Sequence, residues 1–377
     1  MLIAISVGEP SGDILAAGLI REITKRCPEA IFFGIGGLKM QAEGCELLHS
    51  MDSITVMGFE EAIKNLYPIL TLRKQLAKQI IERKPDVFIG VDAPDFNIGL
   101  AMKLKRVGFR TMHYVSPTVW AWRSYRIHKI KRAIDHMLVL FPFEKTYYDE
   151  VGLPATFVGH PAAKDFEGQS VSSLSRQARS NLSLNSKWII GLMPGSRTSE
   201  VESLLTPILE SARQLAEKYS DIEFVLPFAN ERLLGRYKEQ VESSKLPIKI
   251  MLGNSHEVMQ ASNMMILASG TAALEALLNR VPMVVIYKIS TFTNILYKLF
   301  RSVEHFSMPN HLLVTPKVLE LLREQVTAEN IVKEVQAYIN DPEKTQALQH
   351  EFTQVAKKLA QDSDVEAAKS VLTFIHD

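Results

Sequence analysis

Short apolar runs alternate with amphipathic stretches from the first residues onward. Leu2–Val7 is strand-like, residues 13–25 follow with helical spacing, and 31–35 read as a second strand. Over 69–83, Ile69, Leu72, Leu76, Ile80 and Ile81 recur near one helical face. Val87–Val91 is a short apolar run closed by Asp92-Ala93-Pro94-Asp95, with a helix expected over 96–106 and a strand over 110–115. Strand and helix alternating in this way predict a parallel sheet with helices on both faces.

The pattern lapses over 168–186, which holds seven serines and few large apolar side chains. That stretch reads as an interdomain connection with a short helix around 174–182. A second series then begins, with strands at Trp188–Met193, 223–226, 264–267 and 283–286 and helices over 199–218, 231–243 and 271–279. Helical patterns fill the remainder to 376. The expected class is α/β, two Rossmann-like doubly wound domains facing across a cleft. The expected division is 1–167, a connection at 168–186, a second domain at 187–345, and terminal helices at 346–377. Those helices either pack back on the first domain or are exchanged in a dimer.

The chain has 377 residues, and at roughly 150 residues per domain that length supports two. A formal charge of +1 gives no global field to recruit nucleic acid. Cys27 and Cys45 are the only cysteines, which argues for a reducing compartment rather than a disulfide framework. The first seven residues lack a basic segment and a cleavage site, so they read as a strand and not a signal peptide. The apolar stretch 263–287 is broken by Glu275, Asn279, Arg280 and Pro282, short of a membrane span. Membrane contact is therefore expected to be peripheral, on the cytosolic face.

Ligands in open α/β sheets lie beyond the carboxyl ends of the strands. Four strand-to-helix junctions consequently matter most. The first, Gly8-Glu9-Pro10-Ser11-Gly12-Asp13, offers glycines and a helix start; Ser11, Gly12 and Asp13 are its candidate ligands, and Ser11 or Asp13 serves equally well as an N-cap. The second, Asp92 through Asn97, places two carboxylates at the domain's ligand end. Asp95 is the candidate base for an acceptor hydroxyl and Asp92 the candidate acceptor ligand, against the alternative that either merely caps the helix. The third, Pro194-Gly195-Ser196-Arg197, sets backbone N–H groups and a guanidinium where a phosphate would bind. The fourth, Ser269-Gly270-Thr271-Ala272-Ala273-Leu274-Glu275, lets a ligand approach Gly270 and Thr271, with Glu275 one turn on for a ribose diol. The third and fourth together read as a nucleotide-diphosphate site.

Asp362-Ser363-Asp364 matches a metal-binding DxD pattern but follows no strand, and it reads as a helix cap. The ten histidines show no metal spacing, so neither a metal nor a cofactor is expected. Trp120, Trp122 and Tyr125 alternate with Arg123, Arg126, Lys129, Lys131 and Arg132, and 291–306 is rich in aromatic residues. Both stretches suit an anionic lipid surface as well as a partly buried basic helix.

These motifs resemble the lipid-A-disaccharide synthase family, inverting transferases of Gram-negative bacteria with GT-B architecture. The resemblance runs through residues 8–13, Met40-Gln41-Ala42-Glu43-Gly44, Val56-Met57-Gly58, Lys84-Pro85-Asp86 and 92–97. It continues through His113-Tyr114-Val115-Ser116-Pro117, Trp120-Ala121-Trp122-Arg123, Pro142-Phe143-Glu144, Gly159-His160-Pro161, 194–197 and 269–275. It implies UDP-2,3-diacylglucosamine as donor and 2,3-diacylglucosamine 1-phosphate as acceptor. It also implies Asp95 and Arg197 as the essential acid and arginine, and Ser196, Glu275 and Asn310 as nucleotide contacts. Met57 and Gly58 become candidate acceptor-site residues, and peripheral inner-membrane attachment and a homodimer become candidate associations. The chain departs from the family after Asn310, where His311-Leu312-Leu313-Val314-Thr315-Pro316 lacks a Gly-Arg pair, and at Pro10. On the residues alone, a murein-type transferase, a UDP-sugar 2-epimerase or a non-catalytic UDP-sugar-binding relative fits the same junctions.

Overall fold

The structure, a computed structural model, describes residues 1–54, 66–120, 125–164, 166, 168, 170–288 and 305–377. Met57, Gly58, Trp122, Arg123 and nearly all of the aromatic 291–306 stretch lie outside the described residues. The chain forms two compact units, one of residues 1–161 with 359–377 and one of 162–358.

Unit 1 is built on seven strands, β1 (Leu2–Val7), β2 (Ile31–Gly36), β3 (Glu46–Ser50), β4 (Val87–Val91), β5 (Thr111–Tyr114), β6 (His136–Val139) and β7 (Ala155–Phe157). They lie in the order β3-β2-β1-β4-β5-β6-β7, and every pairing is parallel. β1, β4 and β5 are buried along nearly their whole length, because helices cover both faces of the sheet. Phe33, Phe88, Ile80, Leu104 and Tyr148 belong to one core beneath those helices. The terminal helix Ser363–His376 packs on the Pro10–Arg26 helix of the same unit. Gly18 makes that contact feasible, since a Cβ there would meet the Asp364 carboxylate at 2.2–2.4 Å. Asp362 is the N-cap of this helix, its side chain accepting from the Val365 N–H, so the DxD segment is a helix start as anticipated.

Unit 2 carries β8 (Trp188–Met193), β9 (Ile222–Phe228), β10 (Ile248–Leu252), β11 (Met264–Ala268), β12 (Met283–Tyr287) and β13 (Leu319–Leu322). Their order is β10-β9-β8-β11-β12-β13, again wholly parallel. The chain passes between units at 161/162 and 358/359, rather than at 168–186 and 345/346. Within 168–186, Val171–Asn181 is a helix that packs on the Ser255–Ala261 helix of unit 2. Arg179 secures it, Nε donating to the Ala261 carbonyl at 3.0 Å and Nη2 to Asn263 Oδ1 at 2.7 Å. β13 replaces part of the helix expected beyond 286, and it closes the sheet by pairing with β12 from Val284–Leu319 onward.

Both sheets reverse their winding at one place, between β1 and β4 in unit 1 and between β8 and β11 in unit 2. A crevice opens at such a switch point because the connections leave in opposite directions. The four junctions singled out in the sequence follow these four strands.

Candidate functional site

In unit 2 the Thr198–Lys218 helix follows β8 through Pro194-Gly195-Ser196-Arg197. Gly195 takes φ +112, and a Cβ there would lie 2.4 Å from Glu200 Oε2. Only glycine suits that place. The Thr271–Leu278 helix follows β11 through Ser269-Gly270. Nothing lies within 4 Å of the position a Gly270 Cβ would take, and no side chain caps this helix start. Between the two starts is a hollow of about 480 Å³. Ser196, Arg197, Gly270, Thr271 and Glu275 all line it. The structure therefore brings together the five residues that the third and fourth junctions supplied. Phe228 at the end of β9, Gly253 after β10 and Ser255 at the start of the Ser255–Ala261 helix join them, and the sequence reading overlooked all three.

Glu200 changes the expected electrostatics. Its Oε2 accepts from the Ser196 and Arg197 backbone N–H groups, both at 3.1 Å, and its Oε1 accepts from Arg197 Nη1 at 3.1 Å. A carboxylate from the first helical turn thus sits where a phosphate was expected, satisfying N–H groups that a helix start leaves orphaned. The Arg197 side chain remains 77% exposed. The positive groups of this hollow that an anion could meet are that guanidinium and the uncapped start of the Thr271–Leu278 helix.

Asn310 is not among the residues lining the hollow. Its Nδ2 donates to the Val318 carbonyl at 2.9 Å and to Glu320 Oε1 at 2.7 Å. Its Oδ1 accepts from the N–H groups of Lys317 at 3.1 Å and Val318 at 3.0 Å. The amide is spent on holding the 311–318 loop, and no capacity is left for a nucleotide. The Met308–Leu312 segment nonetheless packs on the Thr271–Leu278 helix, so Asn310 supports one wall of the hollow indirectly.

In unit 1 the first two junctions touch. A Cβ on Gly8 would come within 2.6 Å of the Ala93 Cβ, and one on Gly12 within 2.9 Å of Val7 and 3.4 Å of Asp92. Asp92 and Ala93 turn the chain with φ +53 and +40, a left-handed conformation that costs a non-glycine residue about 1–3 kcal/mol. Buried Asn97 holds this turn, its Nδ2 donating to the carbonyls of Ser6 at 3.0 Å, Val91 at 3.2 Å and Asp92 at 2.9 Å. Asp92 accepts from the Ala93 N–H at 2.9 Å and from the Ser11 hydroxyl at 3.3 Å. Glu9 faces the same point, where the charge of Asp92, followed by partial burial, pushes its carboxyl above the ordinary range.

Asp95 stands in the first turn of the Pro94–Arg106 helix with its side chain 86% exposed. Arg126 forms an ion pair with its carboxylate, and Arg73 Nη1 donates to its carbonyl at 3.2 Å. Asp13 instead turns inward. Its buried carboxylate accepts from the N–H groups of Gly37 at 2.9 Å, Lys39 at 3.0 Å and Met40 at 3.2 Å. It caps the next helix, Leu38–Ala42, where a ligand role had been expected.

The motifs of the 113–144 region form a buried knot in unit 1. Val115 adopts φ +77, and Ser116 Oγ lies 2.7 Å from the Tyr148 hydroxyl. Trp120 meets Phe143 edge to face at 5.2 Å. Buried Glu144 accepts from the Phe141 N–H at 3.1 Å and lies beside Trp120 and Ser116. Burial pushes its carboxyl up to about 8, so it is largely protonated at neutral pH. Burial likewise lowers His113 and His160 to about 4, which keeps both imidazoles neutral. Among the described residues, no group of three or more His, Cys, Asp or Glu side chains is placed to hold a metal ion.

A family model described as lipid-A-disaccharide synthetase matches residues 3–375. A lipid-A-disaccharide synthase of Colwellia psychrerythraea is 45% identical over 375 residues, covering 99% of this chain and 94% of that protein. The UDP-GlcNAc 2-epimerase of Neisseria meningitidis, solved bound to UDP-GlcNAc, superposes with a TM-score of 0.64 at 12% identity and covers 100% of both chains. A glycosyltransferase of Rickettsia africae gives a TM-score of 0.60 at 13% identity, covering 100% of this chain and 97% of the other. At such low identity the two structures bear on the fold alone, the GT-B pairing of two Rossmann-like domains.

Proposed function

The chain belongs to the lipid-A-disaccharide synthase family, and from that premise we propose a transfer of 2,3-diacylglucosamine from its UDP donor to 2,3-diacylglucosamine 1-phosphate. The products are the β-1,6-linked tetraacyl disaccharide 1-phosphate and UDP. Membership makes the chain a glycosyltransferase, and it sets aside the murein-type, epimerase and non-catalytic alternatives.

The hollow of unit 2 takes the donor. Arg197 and the uncapped start of the Thr271–Leu278 helix hold the diphosphate, and Glu275 accepts from the ribose hydroxyls. Asp95 takes the proton of the acceptor 6-hydroxyl as that oxygen attacks the donor C1. The bond from C1 to the diphosphate oxygen breaks on the opposite face, and the anomeric centre inverts. Negative charge grows on the leaving UDP, where Arg197 stabilises it. Arg126 orients Asp95, and Asp92 with Ser11 binds the acceptor. This division of labour needs no metal ion.

The single observation behind this reading is the hollow itself, which gathers Ser196, Arg197, Gly270, Thr271 and Glu275 at a sheet's switch point. The acylated substrates bring the chain to the cytosolic face of the inner membrane. Exposed Tyr125 and the basic Arg126–Ala133 helix suit that surface, while no helix of the described residues is long and apolar enough to cross it. Incubating the purified chain with both diacylglucosamine substrates and EDTA, followed by mass analysis, tests the proposal. The tetraacyl disaccharide 1-phosphate is the expected product, and its absence without added metal would refute metal-independent transfer.

A further inference from the structure

Unit 2 has a second cavity, of about 370 Å³, at the end of the sheet where β8 and β11 begin. The nucleotide hollow lies at the other end, beyond Met193 and Ala268. Leu174, Trp188, Ile190 and Tyr338 give the cavity apolar walls, and the half-buried Ser175 and Gln349 also line it. Its volume falls within the range of small-molecule sites, about 300–1,000 Å³.

Arg280 also lines this cavity and is only 8% exposed. Its Nη2 donates to the Phe166 carbonyl at 3.3 Å, and its buried Nη1 has no acceptor among the described residues. Arg179 is nearby, bonded to Asn263 of the cavity wall. Among the described residues its acceptors are an amide and a carbonyl oxygen, not a carboxylate. Burial lowers the pKa of both guanidinium groups. Among the described residues no carboxylate pairs with either group, and withdrawing a cation from water without a counter-charge is unfavourable. The chain also holds Arg280 at φ +58, a strained conformation for an arginine. One bond of 3.3 Å is long for a charged donor, whose usual reach is about 2.7–2.9 Å, so this guanidinium is weakly held for a buried cation.

We propose that this cavity binds an amphiphilic anion, with a carboxylate or phosphate head on Arg280 and an aliphatic chain along Leu174, Trp188 and Tyr338. The anion supplies a counter-charge that none of the described residues gives Arg280, and the apolar walls supply the area. The site is separate from the hollow assigned to the donor.

The test is titration of the full chain with dodecanoate, dodecyl phosphate and dodecanol, each below its aggregation limit. Binding is followed by calorimetry and by the emission of Trp188. At least one anion should bind with saturation and shift the emission, and dodecanol should bind about tenfold more weakly or worse. Preference for dodecanoate identifies a fatty-acid carboxylate, and preference for dodecyl phosphate identifies a phosphorylated lipid. Arg280→Gln should weaken the anions about tenfold while leaving dodecanol unchanged, and Ser175→Phe should block all three. Equal affinity for dodecanol and the anions, undiminished anion binding by Arg280→Gln, or a persisting signal in Ser175→Phe would overturn the proposal. If Arg280→Gln does not fold, the comparison of anions with dodecanol on the unaltered chain decides alone.

Discussion

At its switch point unit 2 offers a guanidinium and a bare helix start, whereas unit 1 offers Glu9, Asp92 and Asp95. The topology is the same in both, strands in the order 3-2-1-4-5-6 with a seventh added in unit 1. Shared architecture thus fixes where a ligand lies, and the few residues after each strand decide its charge. A site made of N–H donors and Arg197 suits a diphosphate. One made of carboxylates repels it and suits a hydroxyl that must lose a proton. Even the glycines follow this division. Gly8 and Gly12 let two junctions pack together in unit 1, while Gly270 leaves open space in unit 2.

The largest effects should come from the two charges that define the contrast. Arg197→Ala and Asp95→Ala should each lower turnover by roughly 10²–10³-fold, measured as UDP release from both acylated substrates. Near-normal turnover in either variant would remove that residue from the mechanism.

Asp13→Ala separates support from chemistry within unit 1. It strips three backbone N–H groups of their acceptor and should destabilise the chain by about 2–3 kcal/mol in denaturant unfolding. Its kcat should stay close to that of the unaltered chain at low temperature, and a selective loss of kcat would restore Asp13 to the site.

Buried Glu144 adds a dependence on pH to unit 1. Its carboxyl stands at about 8 when folded against an ordinary 4.5. The folded chain therefore binds the proton more tightly, and the associated stability is complete below about pH 4.5 and lost as pH rises through 8. Glu144→Gln should flatten that slope, which amounts to about 5 kcal/mol between the two limits. An unchanged pH profile of unfolding would contradict the buried protonated carboxyl.

Glu200→Ala should give the smallest change. It loses a cap worth about 1 kcal/mol of stability, yet it frees the Ser196 and Arg197 N–H groups for the diphosphate. UDP should bind a few-fold more tightly by calorimetry. Weaker binding would mean that Glu200 organises the site and does not compete for it.

Legibility in the sequence followed burial. β1, β4 and β8 were read to the residue because both their faces are covered and their apolar runs are unbroken. β3, β10 and β13 were missed. They lie at sheet edges with half-exposed side chains, and Ile248-Lys249-Ile250-Met251-Leu252 or Leu319-Glu320-Leu321-Leu322 carries too short a pattern to separate strand from helix. β6 and β7 are four and three residues long, with the same outcome. At the site, Arg197 and Glu275 were legible because each follows a core strand at a recognisable turn. The work of Glu200 was not, since a glutamate in the first turn of a helix looks like any other helix start. The roles of Asp13 and Asn310 depend on loops 24–27 and 7–10 residues away, and nothing local to either residue announces them.

Calorimetric titration of UDP into the unaltered chain, Arg197→Ala and Asp95→Asn, run beside turnover, tests the separation of donor and acceptor roles most directly. Arg197→Ala should lose at least about tenfold in UDP affinity, and Asp95→Asn should bind UDP normally while failing to turn over. Normal UDP binding by Arg197→Ala, with binding lost in Asp95→Asn, would contradict it.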